Sequence, residues 1–150
     1  KPATIAFPHA DSPVALLAWI YEKVIAWSNN YPWTEDEILT WVSIYYFSTA
    51  GPEASSYHYY KTLHGSIITV PVVQSYIDVP LGLADFSVDI GNAPESWWGT
   101  LGVSGGFSKS YDKGGHFAVW ERPQDITDGL CEMFGKGGGA EGVVDGRSGY

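Results

Sequence analysis

A histidine preceded by two glycines is the sharpest chemical signal in the chain, in the run Gly114-Gly115-His116-Phe117-Ala118-Val119-Trp120-Glu121-Arg122-Pro123. Imidazole is the side chain best matched to proton transfer near neutral pH, and glycines permit the tight backbone path that presents such a ring into a cleft. Taken alone the triplet is weak, because a histidine after glycines more often shapes a turn. Gly102-Val103-Ser104-Gly105-Gly106 has the G-x-S-x-G spacing of a serine-hydrolase elbow. Such an elbow must open a helix, whereas Phe107-Ser108-Lys109-Ser110-Tyr111, running on to Gly114-Gly115, has no helical character, so Ser104 is rejected as a nucleophile. His9, His58 and His64 do not share metal-ligand spacing, and the lone Cys131 offers no zinc or redox pair, so neither a metal nor a cofactor is expected. Gly135 to Gly139 lacks the strand, lysine and Ser/Thr context of a phosphate loop.

The elements that must position His116 follow from local pattern. Asp11-Ser12-Pro13 combines a capping side chain with proline at a first helical position, and Val14, Leu16, Leu17, Ile20, Tyr21, Val24 and Ile25 recur at near-helical spacing, which predicts a helix over about 13–27. Thr34 with Glu37 forms a capping box beside Glu35 and Asp36, and starts a helix of about 35–49. Gly51-Pro52 breaks the chain, and a third helix of roughly 53–63 ends near Gly65. Beyond Gly65 the residues Ile67, Ile68, Val70, Val72 and Val73 are β-branched, interrupted by Pro71. One buried strand is expected near 78–84, a second extended segment at about 99–109, and a last helix from Pro123 to about Phe134. The glycine-dominated tail from Gly135 to Tyr150 is expected to be extended or mobile. Residues 1–65 thus form a helical segment, 66–134 a strand-bearing core with the histidine loop and final helix, and 135–150 a tail. Two strands are too few to close a parallel sheet, whose faces and edges must be covered, so further strands are expected from sequence upstream of Lys1.

Bulk properties limit the partners. A chain of 150 residues that is 45% apolar can bury a core, and its formal charge of −9 disfavours nucleic acid and anionic membrane surfaces. An uncharged or cationic small molecule suits it better. No apolar run approaches the roughly 20 residues that cross a bilayer, the start lacks the layout of a signal peptide, and one cysteine cannot form an internal disulfide. A cytoplasmic location is the expectation. Seven Trp and ten Tyr, many between Trp19 and Tyr60, serve either as core packing or as an aromatic pocket.

Extended through its flanks, GGHFAVWERP resembles the histidine loop of the epoxide hydrolases, in the microsomal-type and fungal branch of the α/β-hydrolase fold. ADSPVALLAWIYEK, YPWTEDEILTWVSIYYFSTAGPEASS, VPLGLADFSVD, DKGGHFAVWERP and CEMFGKGGGAEGVV resemble segments of that branch in the family's order, covering nearly the whole chain. The resemblance implies an α/β fold: cap and core helices plus the last two strands of a mostly parallel sheet. It implies a reaction in which an aspartate opens an epoxide to an ester that activated water hydrolyses to a diol, a detoxifying chemistry. His116 would be the general base, and an acid would hold its ring. Asp89, in Phe86-Ser87-Val88-Asp89, stands where this branch carries that acid, with Asp85 and Glu95 as competitors; Asp112 is expected to shape the loop.

The family's cap tyrosines donate hydrogen bonds to the oxirane oxygen. Ser55-Ser56-Tyr57-His58-Tyr59-Tyr60-Lys61 resembles the segment that carries one of them, implying Tyr60, or Tyr59 if the register slips by one. Tyr59, Phe117 and Trp120 are the expected substrate-contacting aromatics, around an apolar aryl or alkyl epoxide. The second tyrosine belongs shortly before a Lys-Pro dipeptide that Lys1-Pro2 resembles. The family's nucleophile elbow and oxyanion loop are not found in these residues, so the missing N-terminal half is the implied partner, on the same or a second polypeptide, and this portion alone would be inactive. A homodimer is an open option. Two other readings share these residues: an ester or lactone hydrolase with a serine nucleophile in the missing half, and a non-catalytic interaction module whose sheet edge a partner covers.

Overall fold

The computed structural model describes residues 1–65, 75–103 and 106–147. The chain divides into two units, one made of 1–26 with 30–74 and the other of 27–29 with 75–150. The first is helical: α1 (Pro2–Asp11), α2 (Pro13–Ala26), α3 (Glu35–Tyr46) and α4 (Ala54–His64). Three of these match the pattern-based expectation to within a few residues. Ser12 Oγ accepts the Ala15 amide at 3.3 Å, and Thr34 and Glu37 form the capping box, with Glu37 N–H to Thr34 Oγ1 at 3.3 Å and Thr34 N–H to Glu37 Oε2 at 2.8 Å. Helix α1 is an addition to that expectation, because it carries Pro8 inside and a proline there removes a helical hydrogen bond. It is held from outside: Ala6 and His9 are buried, along with Leu16, Ile20 and Val24 of α2, Ile38 and Val42 of α3, and Ser56 of α4. Helix packing, rather than local propensity, makes this segment helical.

The second unit contains β1 (Ile77–Pro80), β2 (Leu83–Val88), α5 (Glu95–Trp98), β3 (Gly102–Val103), β4 (Ser108–Gly115), α6 (Ala118–Glu121) and α7 (Pro123–Phe134). β1 pairs with β3 and β2 with β4, both parallel, with Phe86 opposite Tyr111 and their rings stacked at 4.8 Å. Parallel neighbours need a crossover, and the 89–101 connection with α5 supplies it. The expected single buried strand at 78–84 is instead two strands parted at Leu81-Gly82, and Phe86 is the buried residue of β2. The expected extended segment at 99–109 is likewise two pieces, and β4 continues through Asp112 to Gly115, so Asp112 lies in a strand and not in a loop. Both strands are broken where Gly106 meets the Leu81 carbonyl, an approach that leaves no room for a Cβ (2.2 Å).

Helix α7 starts and ends where Pro123 and Gly135 predicted. Its Gly129 lies on Phe107 and its Met133 on Gly82. The glycine-rich tail is not extended as far as Arg147: Ala140 is buried and its amide donates to the Met133 carbonyl at 2.9 Å, folding the tail back onto the end of α7. The β-branched stretch Ile67 to Val73 and the rejected serine Ser104 lie outside the described residues. Downstream of Ser104 the chain enters strand β4, not the helix an elbow requires. Among the described residues no helix is long and apolar enough to cross a membrane.

Candidate active site

His116 sits one residue beyond β4, and two glycines of different kinds put it there. Gly114 has φ +106°, a backbone conformation that L side chains rarely adopt, and a Cβ on it would stand 2.5 Å from the Phe86 ring. Gly115 is needed for space: a Cβ there would lie 2.4 Å from the carbonyl oxygen of Trp27. The close approach lets the His116 amide donate to that same carbonyl at 2.8 Å. Segment 27–29, distant in sequence, thereby becomes part of the floor under the histidine. The Trp27 ring meets the imidazole edge-on at 5.4 Å, and Phe117 stacks against Trp27 at 6.5 Å while meeting His116 edge-on at 5.4 Å. Two aromatic rings therefore border the imidazole.

Asp89, one residue past β2, reaches the ring. Its Oδ1 is 2.9 Å from His116 Nδ1, across 27 residues of sequence. The same oxygen accepts the Ile90 amide at 2.6 Å, while Asn92 Nδ2 donates to the Phe86 carbonyl at 2.9 Å and closes the turn that carries the acid. A carboxylate on Nδ1 selects the tautomer with a proton there and leaves Nε2 as the basic nitrogen on the far side of the ring. Both side chains are about 40% exposed (41% and 38%), so the pair is not sealed inside the core. Of the other candidate acids, Asp85 is within β2, Glu95 begins α5, and Asp112 is exposed in β4, where its carbonyl accepts Ser87 Oγ at 2.9 Å. The acid that pairs with His116 is Asp89.

One residue of the histidine loop has a role that the sequence does not signal. Glu121, at the end of α6, accepts the Gly115 amide on Oε1 at 3.2 Å and the Asn29 amide on Oε2 at 2.7 Å. The neighbouring Arg122 is engaged elsewhere, its Nε donating to Asp125 Oδ2 at 2.5 Å. No local pattern could have revealed a bridge to a residue 92 positions away. Trp120, on the same turn, is 37% exposed.

The tyrosines belong to the helical unit. On α4, Tyr59 is half-buried with its ring edge-on to Trp19 at 5.4 Å; burial first, then Tyr45 and Glu22, push its hydroxyl above the usual phenol range. Tyr60 is 42% exposed and lies against His64 at 4.5 Å. Adjacent helical positions point about 100° apart, so packing claims one tyrosine and leaves the other presented. In the same unit, His9 is buried with Nδ1 3.2 Å from Ser56 Oγ and its ring 5.2 Å from Trp19. Burial, with a smaller effect of Lys23, lowers its pKa below the ordinary 6.5. Among the described residues no group of His, Cys, Asp and Glu is placed to hold a metal.

No protein-family model matches the sequence. The chain is 34% identical over 148 residues to epoxide hydrolase 1 of Oryctolagus cuniculus, covering 90% of this chain and 32% of that protein. The solved structure of Aspergillus niger epoxide hydrolase superposes with a TM-score of 0.67 at 35% identity, over 87% of this chain and 32% of that one. Juvenile hormone epoxide hydrolase from the silkworm Bombyx mori, at 23% identity, shares the fold with a TM-score of 0.70 over 87% of this chain. Helices and a short parallel sheet superposing in this way define part of an α/β-hydrolase fold. The chain spans about a third of the length of the curated relatives it matches. Over that third it belongs with the epoxide hydrolases, as a C-terminal portion.

Proposed function

We propose that this chain supplies the water-activating part of an epoxide hydrolase, with His116 as general base, Asp89 as the carboxylate that orients and stabilises it, and Tyr60 as a donor to the oxirane oxygen. The observation that carries this reading is the His116 Nδ1 to Asp89 Oδ1 hydrogen bond, made by two side chains that are each partly exposed. An aspartate outside these 150 residues attacks an oxirane carbon. The ring C–O bond breaks, its electron pair goes to oxygen, and that oxygen takes a proton donated through Tyr60 and a second tyrosine, giving a hydroxy-ester of the enzyme. Water then adds to the ester carbonyl carbon while His116 Nε2 takes its proton, and Asp89 stabilises the imidazolium. The acyl–oxygen bond breaks, the leaving alkoxide recovers the proton from His116, and the diol departs. The aspartate keeps one oxygen from water.

Trp27 and Phe117 beside the imidazole, together with Trp120, favour an apolar aryl or alkyl substrate. This C-terminal portion does not turn over by itself, because attack on carbon needs the external aspartate. A single turnover of the complete enzyme in oxygen-18 water tests the scheme. The label is expected in an enzyme aspartate; label in the diol from that first turnover would rule out the ester. An ester or lactone hydrolase built on the same His–Asp pair has no use for Tyr60, so Tyr60→Phe distinguishes it.

A further inference from the structure

Two consecutive amides, those of Gly115 and His116, face the segment 27–29. The second reaches it directly through the Trp27 carbonyl, and the first reaches it through Glu121, whose other oxygen takes the Asn29 amide. Glu121 is itself fixed on the turn that begins at the histidine loop, since its amide donates to the Phe117 carbonyl at 2.9 Å and the Arg122 amide to that of Ala118 at 2.7 Å. Gly115 and Ser28 are buried at this junction, and Glu121 is half-buried. An ionised carboxylate is the side chain that offers two acceptor oxygens and no donor, so it can bind two N–H groups from different strands of chain at once. Glutamine would turn an NH2 toward one of them, and aspartate is one methylene short.

We infer that Glu121 is a positioning residue: its carboxylate clamps the Gly115-His116 peptide to segment 27–29 and thereby holds the imidazole at hydrogen-bonding distance from Asp89. Small displacements matter here, because a misplacement of about 1 Å at a reacting group can cost about 10²-fold in rate. The kinetic consequence rests on the reading of His116 as the base of ester hydrolysis, but the positional one does not.

The test uses the complete enzyme with nitrogen-15 histidine. In Glu121→Gln the His116 Nδ1–H resonance that marks the bond to Asp89 is expected to shift or broaden away, and the rate of ester hydrolysis to fall about 10- to 100-fold with ester formation little changed, so that the ester accumulates. Glu121→Asp is expected to fall between the two. An Nδ1–H resonance unchanged in a folded Glu121→Gln overturns the inference whatever the rates. A resonance that is lost without selective slowing of ester hydrolysis supports the clamp and refutes the catalytic scheme instead. Should the variants fail to fold, amide hydrogen exchange in the parent enzyme decides: protection of both Gly115 and Asn29 is expected, and free exchange at either overturns the clamp.

Discussion

A methyl group added at Gly115 strikes at the contact that places His116. In Gly115→Ala the new Cβ would lie 2.4 Å from the Trp27 carbonyl oxygen, which is backbone and cannot rotate aside. Ordinary contact requires segment 27–29 and the histidine loop to part by about 1 Å. That stretches the 2.8 Å bond from the His116 amide to the same oxygen beyond useful length, and strains the two bonds that Glu121 makes. Overpacking costs about 1–3 kcal/mol and a buried, unmade backbone hydrogen bond about as much again, so the variant is expected to lose about 2–6 kcal/mol. Urea denaturation of the complete enzyme measures the loss, and single-turnover hydrolysis measures a drop of about 10²-fold in any folded fraction. Gly99→Ala is the matched control, since Gly99 has φ −66° and open space around its missing Cβ; it is expected to be neutral or slightly stabilising. If Gly115→Ala falls within about 0.5 kcal/mol of the parent, as an ordinary surface change would, the account of how His116 is placed is wrong.

Asp89→Asn keeps the size of the partner but gives His116 Nδ1 a poorer acceptor that favours the wrong tautomer; ester hydrolysis is expected to slow by about 10³- to 10⁴-fold with the ester trapped, measurable by mass spectrometry of quenched enzyme. Tyr60→Phe is expected to slow oxirane opening about 10²-fold or more, whereas Tyr59→Phe, whose ring packs on Trp19, should change stability more than rate; equal kinetic effects would contradict the assignment. The buried His9 gives a pH dependence of fixed sign. Its folded pKa lies below the unfolded value of 6.5, so the unfolded chain takes up the proton first: stability is fully present above about pH 6.5 and falls as the pH drops toward the folded pKa. The thermal midpoint of the parent should therefore decline more steeply than that of His9→Gln between pH 7.5 and 5, and parallel curves would refute a neutral buried histidine.

Elements whose determinants lie within one or two turns were legible from the residues alone. Thr34 and Glu37 mark the start of α3, Ser12-Pro13 that of α2, and Pro123 with Gly135 bracket α7, because caps and proline act on backbone groups three or four residues away. The glycines before His116 were legible as a requirement, though the need for each became clear only in three dimensions: left-handed φ at Gly114, room for the Trp27 carbonyl at Gly115. Helix α1 was hidden by Pro8, since burial of Ala6 and His9 outweighs a local propensity that points the other way.

The site divides along the same line. His116, Asp89 and Tyr60 could be named from ordered resemblance, but nothing in their spacing brings Asp89, rather than Asp85, Glu95 or Asp112, to the imidazole. Parallel pairing of β2 with β4 does that, by setting the ends of two strands side by side. The bridge between Glu121 and segment 27–29 had no signature at all. Their bond closes a loop of 92 positions, and an interaction that depends on where the chain returns in space leaves no trace in its neighbours along the sequence.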